Sequence, residues 1–255
     1  MLMDETLTYI FDGRPHLLAQ PMSAWLASSR PFTAFVTTFR DKIRKKLRIS
    51  QDQESLLDLR LELETAYLLL RERSLSVVYE PLQARRTRSP DFAVHFTTSL
   101  TFMVEVTRMR ADAQQAPAEE AHSRATPPGP VPALPRLGER LVDTVCCKLS
   151  QLLPQRGNVL LIGVDSLDLS HNDFDLRTAM LHMQQRAEHN APAFLQRHRF
   201  HHRADFFRQF QRLSEILVRG AQWQADEPVA VWVNPQAKHP LPAKVRTILY
   251  RSQTG

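Results

Sequence analysis

Two acidic residues stand where strands are expected: Asp91, which follows Pro90, and Glu105, set among Phe102, Met103, Val104 and Val106. A charge inside a buried strand is costly unless something pairs with it. Alternation places Phe102, Val104 and Val106 on one face and Met103, Glu105 and Thr107 on the other. If the two segments pair as a hairpin, Asp91 and Glu105 converge. Two carboxylates at one point repel each other, and a divalent cation between them relieves that repulsion. Magnesium, or manganese in its place, suits such a pair because it keeps several waters beside one or two carboxylates. The chemistry expected of this arrangement is phosphodiester hydrolysis, with a lysine nearby to position the attacking water and offset charge in the transition state.

The elements around the two acids follow from pattern. Residues 22 to 48 read as a helical piece broken at Pro31 and ending in a basic run from Arg40 to Arg48, which is either a solvated face or, for phosphodiester chemistry, a hold on the nucleic-acid backbone. A strong helix follows, with Ser50 as the expected N-cap and Leu56, Leu59, Leu63, Ala66, Tyr67 and Leu70 at helical spacing. Three short strands at about 75–80, 91–96 and 101–108 read as a meander. The Pro- and Ala-rich stretch 112–135 reads as a mobile loop. A helix at 136–153 then feeds the apolar run "NVLLIGV" at 158–164, which suits a strand buried on both faces. Helices near 174–190 and 204–219, a strand at 228–234 and a terminal helix after Pro242 complete the expected α/β fold.

The glutamate-bearing helix, a strand, "PD" at the next strand and "ExT" on the third resemble the PD-(D/E)XK nuclease superfamily, over about residues 54–164. The resemblance implies a restriction-endonuclease-like αβββαβ core, a mixed central sheet flanked by helices, and helical additions. It divides the chain into an N-terminal helical extension, 1–50, and a nuclease domain, 51–255. It further implies that Asp91 and Glu105 are metal ligands, with the backbone carbonyl of Val106 as a third. Glu62 then stands for the helix glutamate that reaches the metal through water, with Glu64 as the competing choice. The family's lysine belongs at position 107, where this chain has threonine. Some members of the superfamily carry it on the following helix, where Lys148 stands with Gln151 three residues on.

Other features bear on partners. The formal charge is +6, the isoelectric point is near 9.7, and the excess comes from arginine far more than lysine. Guanidinium suits bidentate phosphate contact, which makes nucleic acid a natural partner, DNA first. In "RHRFHHR", residues 197–203, Arg197, Arg199 and Arg203 surround Phe200, a pattern that either follows a nucleic-acid backbone or caps a helix. The adjacent Cys146 and Cys147 suit neither a disulfide nor a zinc site and read as packing residues. No apolar run approaches the roughly 20 residues of a membrane span. The opening segment has no basic n-region or long apolar stretch, so the expected compartment is the cytoplasm. A homodimer would suit cutting both strands of a duplex, although no heptad argues for one. The expectation is a magnesium-dependent endonuclease in which Asp91 and Glu105 hold the ion, Glu62 supports it, Lys148 assists the water and Gln151 orients a phosphate or water. The alternative is a catalytically inactive relative that keeps the fold to bind nucleic acid or a protein partner.

Overall fold

The structure is a computed structural model that describes residues 2–50, 52–81, 89–97, 100–109, 136–164, 175–222, 224 and 228–254, with side chains from residue 5 onward. The loop expected at 112–135 lies outside the described residues.

Three helices come first: α1 (Leu2–Phe11), α2 (Ala19–Ser28) and α3 (Arg30–Ile49). The break expected at Pro31 falls just before it. Ser29 caps α3 by accepting the Phe32 N–H, and the proline sits in the first turn, where its missing N–H costs nothing. Next is α4 (Gln53–Arg71), whose N-cap is Asp52 rather than Ser50. Asp52 accepts the Ser55 N–H at 2.8 Å. Ser50 is already used in closing α3, its own N–H donating to the Lys46 carbonyl.

The expected meander is present as β1 (Leu75–Tyr79), β2 (Phe92–Phe96) and β3 (Leu100–Arg108), all antiparallel. After it come α5 (Arg136–Leu149), β4 (Gly157–Val164), α6 (Leu176–Glu188), α7 (Pro192–Arg197), α8 (Arg203–Phe210), β5 (Leu213–Gly220), β6 (Ala230–Val233) and α9 (Ala243–Thr254). The sheet order is β1-β2-β3-β4-β5-β6, with β4 parallel to both β3 and β5 and β6 antiparallel at the far edge. The protein is therefore α/β with a mixed central sheet covered by helices on both faces.

Strand alternation divides the core in two. Phe102, Val104, Val106, Val159, Leu161 and Leu217 pack against α1 to α4 and α9. Leu160, Ile162, Ile216 and Val218 pack against the layer of α5 to α8. Gly163 lets α4 lie close to β4, since a Cβ there would fall 2.6 Å from a Leu61 methyl.

Two element boundaries differ from expectation. Residues 213–219 are a central strand and not the end of a helix, buried at every position. Continuous burial removes the polar face that would separate a strand from a buried helix by periodicity. The helix expected to run to 153 stops at Leu149. The Asn158 side chain draws the following chain toward β4: its amide accepts from Leu153 N–H at 3.0 Å and donates to the Leu153 carbonyl at 2.8 Å. No helix among the described residues is long and apolar enough to cross a membrane.

Candidate functional site

The β2–β3 register decides whether Asp91 and Glu105 meet. Phe92 pairs with Val104, which sets position 91 opposite Glu105. The Asp91 carboxylate accepts the Val106 N–H at 2.8 Å, tying the entry of β2 to β3. What Val106 brings to this contact is its N–H, a donor, whereas a metal ligand would require its carbonyl. The Asp91 carboxyl is held well above the usual carboxylate range, first by burial and then by the charges of Glu62 and Glu105; Lys46 and the Val106 N–H pull the other way.

Glu105 is buried, and its partner is Lys148. The α5 ammonium lies 2.8 Å from Glu105 Oε1, across the face of the sheet that α5 covers. Arg108, three residues on along β3, turns to Glu54 and Asp58 on α4. Thr107 occupies the position of the family's strand lysine, so Lys148 is the only lysine the structure sets on Glu105 among the described residues.

Glu62 reaches the cluster from α4. Burial raises its pKa against the opposing effect of Lys46 on α3, whose ammonium lies 2.6 Å from Glu62 and 2.9 Å from Glu80. Burial of Lys46 alone would lower its pKa, but the charges of Glu62 and Asp91 outweigh that and raise it. The same ammonium stands 4.9 Å over the Tyr79 ring. The Tyr79 hydroxyl is buried beside Glu62, and burial and then the Glu62 charge hold its phenol proton in place. Glu64 leaves the cluster. It pairs with the buried Arg219 at 2.9 Å, and that guanidinium also donates to Thr65 and Gln253.

The remaining sequence candidates lie elsewhere. Gln151 is in the turn after α5, not on the helix beside Lys148. Its N–H donates to the Lys148 carbonyl, and no hydrogen bond among the described residues ties its side chain to the acids. Phe200 is a core residue, edge-on to Phe206 at 5.2 Å, and so offers no exposed platform between arginines. His202 caps α8, accepting the Asp205 N–H, and Arg197 pairs with Asp143. The helix-capping alternative for that run describes these contacts. Lys238 and His239 lie where β4 and β5 begin, the His239 carbonyl accepting from Ser214.

The donors that converge are carboxylate oxygens, the class a hard divalent ion takes. Among the described residues, no three His, Cys, Asp or Glu side chains form a ready metal-holding group. Two of the acids carry ammonium groups instead, Glu62 that of Lys46 and Glu105 that of Lys148. The burial and mutual repulsion registered at Asp91 are what a divalent ion would relieve. By donor class the three acids suit such an ion, and holding it would require Lys46 and Lys148 to leave Glu62 and Glu105.

Sequence reasoning missed Lys46. A signal was there: three of the chain's six lysines stand at 42, 45 and 46, with Ile49 completing helical i, i+3, i+4, i+7 spacing.

No family model, curated protein or solved structure matches this chain. The likeness to PD-(D/E)XK nucleases rests on its residues and on the α4-β1-β2-β3-α5-β4 order alone.

Proposed function

We propose that the protein is a metal-dependent nuclease that hydrolyses DNA phosphodiester bonds on a restriction-endonuclease-like core. The observation that carries this reading is the constellation of Asp91, Glu105 and Lys148: an acid opposite an acid across a hairpin, with a helix lysine on the second.

In this reading Asp91 and Glu105 hold a magnesium or manganese ion, with Glu62 behind them. Bound there, the ion would polarise a phosphoryl oxygen and acidify a water. Lys148, which arrives on the side of the sheet that Glu105 faces, holds the attacking water by hydrogen bonds and offsets charge as it gathers on the phosphoryl oxygens. The water oxygen bonds to phosphorus, one phosphorus–oxygen ester bond breaks, the water's proton passes to solvent, and the departing oxygen is protonated. Lys46 opposes the burial that raises the Glu62 pKa and so favours its charged form. The net charge of +6 favours a polyanionic partner.

The test is nicking of supercoiled plasmid with magnesium or manganese. Activity that disappears in EDTA, in Asp91→Ala and in Lys148→Ala supports the enzyme. One observation favours a second reading, in which the fold binds nucleic acid without cutting it: Lys46 and Lys148 already neutralise two of the three acids. Salt-sensitive binding with no metal-dependent cleavage would select that reading.

A further inference from the structure

Beside the acidic cluster lies a groove of about 580 Å³, within the range of about 300–1,000 Å³ common for ligand sites. One wall is a stripe of α3, Lys42, Lys45, Lys46 and Ile49; the other is a stripe of α4, Ser55, Asp58, Leu59 and Glu62. Both have the i, i+3, i+4, i+7 spacing that puts side chains on one helix face. The groove therefore has a direction. It begins at the α3–α4 junction near Ser50 and ends at Glu62 and Glu80, where Lys46 joins it to Asp91.

We propose that this groove is the track for one unpaired nucleic-acid strand, whose phosphates meet Lys42 and Lys45 and whose base lies on Ile49. This rests on the nuclease reading and names its substrate: a single strand or frayed end led to the carboxylates.

Charge and shape support it. The Asp58 carboxylate is engaged by Arg108, and Glu62 and Glu80 share Lys46. Lys42 donates to the carbonyls of Tyr79 and Glu80, at 3.0 and 2.9 Å, and to no acid among the described residues, which leaves one ammonium hydrogen to give. Lys45 is exposed. Ile49 is 70% exposed, a large apolar side chain at the rim that folding leaves uncovered. The stems of Lys42, Lys45 and Lys46 extend that apolar surface, and cations beside an apolar surface suit a strand whose bases are unstacked. A duplex keeps its bases stacked inside and cannot insert one between two helices.

The test is fluorescence anisotropy with a fluorescein-labelled oligothymidylate of about ten nucleotides, in EDTA at about 50 mM salt, where phosphate contacts are strongest. Lys45→Glu should weaken binding at least about tenfold and flatten its salt dependence by about 0.7 in log–log slope, as loss of one single-strand phosphate contact requires. Ile49→Ala should weaken it several-fold with the salt slope unchanged. A duplex of equal length should bind at least about tenfold more weakly than the single strand. Both positions are exposed, and unchanged circular dichroism spectra would show both variants folded. The proposal is overturned if wild-type protein does not bind the oligonucleotide, if either variant binds like wild type, or if duplex binds equally. Groove binding without metal-dependent cleavage would sink the nuclease reading alone; cleavage with unchanged affinity in Lys45→Glu would sink the groove alone.

Discussion

Lys148 Nζ lies 2.8 Å from Glu105 Oε1, so the last turn of α5 is pinned to the middle of β3 through one buried carboxylate. That contact is structural as well as chemical. Lys148→Met leaves Glu105 buried without its cation and should cost about 1–3 kcal/mol, read as a lower urea midpoint. The same variant should lose metal-dependent nicking. Lys148→Arg should recover most of the stability and little of the activity, because a planar guanidinium cannot place a water as an ammonium does.

Asp91→Asn should separate folding from metal binding. An amide oxygen can still accept the Val106 N–H, while the charge that burial, Glu62 and Glu105 oppose is gone. Because the folded pKa lies above the ordinary 3.8, the wild-type contribution is complete below that value and is lost as pH rises through the folded pKa. The variant should therefore gain stability relative to wild type as pH rises through that window, in parallel thermal melts. Calorimetry should detect manganese uptake by wild type and none by the variant.

Glu215 supplies an independent titration. It is buried on β5, 3.6 Å from Arg246 on α9, and burial pushes its carboxyl up to about 7 from 4.5 despite that arginine. The raised value means that the Glu215 contribution to stability falls between about pH 4.5 and 7 and is flat above. Glu215→Gln should remove that part of the slope and stabilise the protein at pH 8 by about 3 kcal/mol. Chemical denaturation at a series of pH values measures both effects.

The Glu64–Arg219 pair should behave as a buried ion pair. Arg219→Met strands Glu64 in the core and should cost about 3–5 kcal/mol. Adding Glu64→Leu should restore much of that loss, since a matched apolar replacement removes both desolvation costs. A double-mutant cycle in guanidinium chloride checks the sign of the coupling.

Where local pattern and final environment agreed, the elements could be read directly. The alternation at 101–108 put Glu105 on the opposite face from Val104 and Val106, and the structure divides its core along that line. The pairing of strands 91–96 and 101–108 implied that Asp91 and Glu105 would face each other. The choice between Glu62 and Glu64 was not legible, because both are buried on one helix and differ only in what packs against each side. Lys46 was hidden for a related reason: its partners are 16 and 34 residues away, and a basic run looks the same whether solvated or folded over acids. The 204–219 segment misled because β5 is buried at every position and carries no alternation.

The amino-acid sequence by itself determined the α/β class, the meander and the two acids that share its hairpin, since these depend on periodicity and near-neighbour pairing. Only the tertiary structure decided that β5 is a central strand, that Lys148 lies on Glu105, and that Lys46 closes the other side of the cluster. The physical reason is that burial and charge pairing between distant segments are set by how helices lie across the sheet, and no local run of side chains encodes that placement.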